Sequence, residues 1–335
     1  MHDWTRATPG HRPDIDRGKG LAILLVVFGH LIANGHPAGN DWYATAKSLI
    51  YSFHMPFFMY LSGTVFFLTG KEELSGRAYF RFTGDRFVRL MVPFLAFGVL
   101  IVIGKYIFHF FAFVDDAPRS VPAGLRDMIA DTPDNPATSI WYVLVLFIFC
   151  AATPLLWRAA GRRWTPLFLL ALVLYFAPST DAYYLERVMD YFIFFVVGGL
   201  VASRGDVRTM FSSLLPFWLV LFLASTTVVF TGLSADMKLL IPGLASIPAL
   251  HGLVSSRRFA HDRLLLALGG YAFTIYLFNT ITIGLAKAGY LKVAPIDNGY
   301  FLVALPLLFA AGTLGPIAIR RYVLGWVPAL ERMVR

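Results

Sequence analysis

The sequence predicts an all-α fold, a polytopic bundle of about ten transmembrane helices with both termini in the cytoplasm, and three observations predict it. The first is composition. Of the 335 residues, 57% are hydrophobic and only 15% charged, whereas a soluble domain carries about 25% charged residues. The second is the arrangement of apolar residues in blocks, such as 21–35, 90–113 and 214–232. A helix of roughly 20 such residues crosses the hydrocarbon core and satisfies its own backbone polar groups, which lipid does not do. The third is the sorting of charge. With the N-terminus inside, 21 of the 29 lysines and arginines fall on the inner side and 7 on the outer, while Lys105 lies within a span. That is the bias the positive-inside rule requires; an odd number of spans would scramble it.

The expected spans lie near 20–35, 44–68, 90–113, 139–157, 165–179, 191–203, 213–232, 239–255, 265–286 and 300–320. Residues 1–19 are polar, with Pro9, Gly10 and Pro13, and form a cytosolic N-terminal segment. No small-residue cleavage pattern follows, so the first apolar block is an uncleaved span. The fifth and sixth spans are short, interrupted by Pro178 and the polar stretch 179–190. The longest extracytoplasmic loop, 114–138, is acidic and proline-containing (Asp115, Asp116, Asp127, Asp131, Asp134; Pro118, Pro122, Pro133, Pro136) and is expected to be a solvated connection. The whole of 1–335 reads as a single transmembrane domain.

In a soluble protein a net charge of +9 would suggest nucleic acid. Here the basic residues cluster in short inner loops, so the partner of the charge is the lipid bilayer, and no nucleic-acid partner is expected. Cys150 is the single cysteine and permits no intrachain disulfide.

Ionisable residues at membrane depth are costly and mark function. His30 sits in the apolar run Val26-Val27-Phe28-Gly29-His30-Leu31-Ile32. It follows Lys19 by three helical turns, roughly 16 Å along the axis, so cation and imidazole share one face. His54 falls at matching depth on the second span, which runs in the opposite direction. Pro56 removes a backbone donor just after it, and Ser62-Gly63 add a hydroxyl and a close-approach position. Arg86 and Arg89 stand at the cytosolic mouth of the third span, where a spacing of three places two guanidinium forks on one helical face, suited to phosphate. Each feature alone is explained as well by packing or by topology. Asp16 is expected to cap the first helix or to pair with Lys19.

Together these residues resemble the acyltransferase-3 family of integral membrane acyltransferases. The resemblance rests on Lys19 with His30, on Ser52-Phe53-His54-Met55-Pro56-Phe57-Phe58 closing on Leu61-Ser62-Gly63, and on Arg86 with Arg89. It extends to Ile140-Trp141-Tyr142-Val143-Leu144, to Tyr191-Phe192 with Gly198, and to Gly269 through Thr274-Ile275-Tyr276-Leu277, in the family's order. The lysine form of the first motif is similar to that of sugar O-acetylases. One departure stands out: where the family often has a histidine, this chain has Asn279, so no role of that histidine is carried over.

The resemblance implies a bacterial inner-membrane enzyme that takes acyl-CoA, usually acetyl-CoA, from the cytosol. The implied acceptor is a hydroxyl of an envelope glycan or lipid-linked sugar. Lys19, Arg86 and Arg89 would meet the CoA phosphates, His30 would serve as general base, and His54 would orient the acceptor or share its proton. No metal is implied. The alternative is a multi-span transporter with His30, His54 and Lys105 as a relay; the sequence offers neither the inverted repeat nor the mid-span carboxylate that would favour it.

Overall fold

The structure, a computed structural model, describes residues 12–32, 36–111, 114–131, 135–326, 330–331 and 334. Most of the 1–19 segment, the basic residues Arg6, Arg332 and Arg335, and Pro133 and Asp134 of the long loop lie outside the described residues.

The described residues form α-helices and no β-strand, so the molecule is the all-α bundle the composition predicts. In chain order these are α1 (Pro13–His30), α2 (Asp41–Tyr51), α3 (His54–Leu68), α4 (Gly76–Arg86), α5 (Val92–Phe108), α6 (Val121–Ala130) and α7 (Trp141–Ala159). They continue with α8 (Trp164–Phe176), α9 (Leu185–Ala202), α10 (Gly205–Ser213), α11 (Leu215–Thr226), α12 (Ala235–Ser255), α13 (Arg263–Tyr290) and α14 (Gly299–Tyr322). Each expected span coincides with one helix or with a broken pair. Among the described residues, five helices are long and apolar enough to cross a membrane, and six if the bent pair α10–α11 is one span. Large apolar side chains face outward on α5, α8, α11 and α14, among them Leu100, Val173, Val220 and Val303. An exposed apolar surface of that extent is stable against lipid rather than water, and the protein is an integral membrane protein.

Three local departures from the expected spans matter. The second span breaks at Ser52–Phe53, so His54 opens α3 rather than sitting mid-helix. Pro56 therefore occupies the first turn of α3, where a missing N–H leaves no intrahelical bond unmade, and it does not kink the helix. The third span extends back without a break to Gly76, giving a helical run from Gly76 to Phe108. Arg86 and Arg89 lie inside that run, where Phe87–Met91 form a π-turn. The seventh bends by 82° between α10 and α11, so α10 lies across the axis of the span it precedes.

Two helix pairs are drawn together at backbone distance. A Cβ on Gly20 of α1 would overlap the Leu265 carbonyl of α13, and one on Gly269 would overlap the Asp16 carbonyl in return. The same reciprocity joins α3 to α9: Gly63 meets the Phe195 carbonyl, and Gly198 meets the Tyr60 carbonyl. Small residues let membrane helices approach until backbones touch. Aromatic side chains fill the interior around the second pair, with Phe57, Tyr60, Phe194 and Phe195 fully buried.

Candidate active site

The C-terminal end of α1 leaves carbonyls without intrahelical partners, and α2 supplies donors to them. Tyr43 donates its hydroxyl to Phe28 O at 2.8 Å, Tyr51 to Gly29 O at 2.9 Å, and Lys47 Nζ to Ile32 O at 2.7 Å. These three bonds fix the last turn of α1, and His30 is its last residue. The turn at Ser52–Phe53 then carries the chain into α3, with Ser52 Oγ donating to Leu49 O at 2.7 Å. The rings of Tyr51 and His54 lie 5.0 Å apart.

His30 and His54 line one cavity of about 620 Å³. The sequence singled out both residues, and the fold brings them together. Asn279 of α13 completes the arrangement. Its amide nitrogen donates to Ile275 O at 2.9 Å and to Tyr276 O at 2.8 Å, so its oxygen is the atom presented to His30, 2.7 Å from Nδ1. A carbonyl oxygen only accepts. Nδ1 of His30 therefore carries the proton, and in the neutral ring Nε2 keeps its lone pair. The same reasoning holds for His54, whose Nδ1 lies 2.8 Å from Ile50 O. Both imidazoles thus have one nitrogen committed to a fixed acceptor and the other available as a base.

The cavity wall is aromatic and hydroxyl-bearing on one side, with Trp141, Tyr191, Tyr276, Thr138, Ser139 and Thr280. The Arg187 guanidinium stacks over the Trp141 ring at 4.7 Å. Toward the end of α5 and α13 the wall becomes charged. Lys287 Nζ pairs with Asp115 at 2.9 Å, and Lys105 and Asp116 line the same region. Lys105, which the sequence places within a span, faces this cavity.

The long loop departs from expectation as well. It contains α6, whose Met128 packs onto Gly98 of α5, and Tyr184 donates to Met128 O at 2.7 Å. Val114, Asp115, Asp116, Pro136 and Thr138 line the cavity. The segment roofs the site rather than merely connecting two helices, because its helix buries an apolar face against α5.

The remaining expected site residues lie elsewhere. Lys19 pairs with Asp16 at 3.4 Å, as its spacing suggested; Asp16 does not cap α1, whose N-cap position is Arg12. The Arg86 guanidinium sits 5.1 Å over the Phe82 ring, and Arg89 is exposed. The π-turn carries an i to i+5 bond, which widens the angle between them beyond that of an α-helical pair. None of the three lines the histidine cavity. Ser62 Oγ meets the Tyr142 hydroxyl at 2.5 Å, so it joins α3 to α7. Among the described residues no cluster of three or more His, Cys, Asp or Glu side chains is placed to hold a metal ion.

Sequence reasoning missed a second polar chain. His251 of α12 is buried, with Nδ1 2.5 Å from the Tyr60 hydroxyl and Nε2 3.1 Å from Asp14 Oδ2. Arg12 holds the same carboxylate through two bonds, of 3.0 and 2.6 Å. Burial works against the charged carboxylate, but the hydrogen bonds from His251 and Arg12 outweigh it and hold Asp14 well below the usual carboxylate range.

The profile of a family described as an acyltransferase domain matches residues 12–321. Nodulation protein NolL of Sinorhizobium fredii is 34% identical over 134 residues, which is 39% of this chain and 33% of that protein. Nodulation protein NolL of Mesorhizobium japonicum is 30% identical over 135 residues, 40% of this chain and 32% of that protein. The matched stretch thus spans about a third of these curated relatives.

Proposed function

The chain belongs to the acyltransferase-3 family, and from that premise we propose that it is a membrane O-acyltransferase. It moves an acyl group, acetyl in the first instance, from cytosolic acyl-CoA to a hydroxyl of an envelope glycan or lipid-linked sugar. In this reading the domain 1–335 lies in a bacterial inner membrane with both termini and the 1–19 segment in the cytosol. The 114–138 segment lies outside, over the acceptor end of the cavity.

His30 is the general base. Nε2 takes the proton of the acceptor hydroxyl as its oxygen attacks the thioester carbonyl; the C–S bond breaks, and the proton is delivered to the departing sulfur. His54 orients the acceptor or shares that proton. Lys19, Arg86 and Arg89 receive the phosphates of the donor on the cytosolic side. The observation that carries the reading is the pair of imidazoles in one cavity, each with Nδ1 tied to a carbonyl oxygen. A base needs a free lone pair at a fixed angle, and this arrangement supplies it. The aromatic wall beside the histidines suits the apolar face of a sugar ring.

The test is acyl transfer from labelled acetyl-CoA to envelope glycan by membranes holding His30→Ala or the unaltered protein. A general base contributes about 10² to 10⁴ in rate, so His30→Ala is expected to lose detectable transfer while accumulating normally. Retention of more than about a tenth of turnover would lie above that range and make His30 a packing residue.

A further inference from the structure

A second cleft, of about 450 Å³, lies away from the histidines, where the first turns of α1 meet α10, the end of α12 and the turn at Ala260. Three guanidiniums line it: Arg12, Arg17 and Arg208. Thr209, Ser212 and Ser255 add hydroxyls.

The charges in this cleft do not balance internally. Asp14 is the acidic side chain lining it, and both of its oxygens are engaged: Oδ1 by Arg12, Oδ2 by Arg12 and His251. Arg17 spends its donors on backbone, at Ala260 O and at Asp262 O, 3.4 Å away. Arg208 has neither. Its Nε and Nη1 atoms are buried and meet no acceptor among the described residues. Buried guanidinium nitrogens without an acceptor are strongly unfavourable, and a dianionic group beside the same cation lowers that cost. Arg208 belongs to α10, before the 82° bend, and lines the cleft together with Arg17 of α1.

We propose that this cleft binds a phosphate ester, with the Arg208 guanidinium, which lines it, as its principal contact. Guanidinium edges match phosphate oxygens in pairs, and hydroxyls can donate to those left over. Two sources carry this chemistry. One is the nucleotide end of a CoA donor, which rests on the donor assignment proposed above and would replace Lys19, Arg86 and Arg89 as the place of those nucleotide phosphates; the other is the headgroup of an anionic phospholipid, which does not rest on it.

The experiment uses the full chain in nanodiscs of neutral phosphatidylcholine. Adenosine 3′,5′-bisphosphate is titrated by calorimetry, and in a second arm phosphatidylglycerol is introduced and the thermal midpoint followed. Arg208→Gln is expected to weaken one of these responses about tenfold or more. Loss of the nucleotide response assigns the cleft to the donor; loss of the lipid response assigns it to a headgroup. Thr209→Glu alters an exposed position on α10 and places a carboxylate in the cleft, so it should lower the same response even if Arg208→Gln proves unstable. Responses to both probes that are unchanged in the two variants overturn the proposal. Acetyl-CoA turnover by the unaltered protein is measured alongside. Absent turnover with intact phosphate binding sinks the enzymatic reading and leaves the cleft standing.

Discussion

Asn279 decides which nitrogen of His30 carries the proton, and it does so because its own amide is pinned by two backbone carbonyls of α13. Asn279→Ala removes the acceptor and lets the ring choose either tautomer. Losing one such bond is worth about 1 kcal/mol or somewhat more, so kcat should fall roughly tenfold with the acyl-CoA KM unchanged and the protein folded. An unaltered kcat would show that another group orients the ring. The histidines themselves stood out in the sequence, since an ionisable side chain inside an apolar run is costly and needs a partner or a role. Asn279 was visible only as a departure from a family pattern. A neutral amide carries no charge signal, and its partner lies 249 positions away. The Asp14–His251–Tyr60 chain was hidden for a similar reason: Asp14 read as part of a polar leader. Arg86 and Arg89 were readable as a pair, but no residue type announces the π-turn that splays them.

The reciprocal glycines make a sharp prediction about helix packing. Gly63→Ala and Gly269→Ala each force a methyl into a facing carbonyl, and overpacking of this kind costs about 1–3 kcal/mol. Both variants should lower the thermal midpoint of the detergent-purified chain. Gly84→Ala is the control, because nothing lies within 4 Å of its added carbon. If Gly269→Ala melts together with Gly84→Ala, the close approach of α1 and α13 is not what holds them. Where helices lie was largely readable from apolar blocks, and where they break was not. The block at 44–68 runs straight through the turn at Ser52–Phe53, and that at 213–232 through the bend beside Leu214. Hydropathy reports what surrounds a side chain; it is silent on whether the backbone beneath it is continuous.

The sidedness of the molecule is open to a direct measurement. Reporter fusions after Gly76, Gly161 and Ser256 should read cytosolic, and fusions after Gly39, Asp127 and Asn298 should read outside. A cytosolic reading at Asp127 would invert the proposed placement of the cavity roof. The fusions also locate the two binding regions, since the charge bias decides which side of the membrane the histidine cavity and the arginine cleft each face. The glycine contacts bear on mechanics too. Each histidine rides on a helix bolted to a neighbour through backbone: His30 on α1 with α13, His54 on α3 with α9. Between these two rigid couples, α1 meets α3 at Gly18, where the opposing atoms belong to the Leu61 and Phe57 side chains. Side chains hop rotamers, whereas interlocked backbones do not yield. The couples therefore meet directly through side chains alone, with the Asp14–His251–Tyr60 chain as their polar link through α12, and a small slip at the Gly18 seam changes the spacing of the two imidazoles while leaving each couple intact. A cysteine tether across the seam should slow turnover, whereas the same tether between α1 and α13 should leave it unchanged; equal rates in both would remove the seam as the moving part.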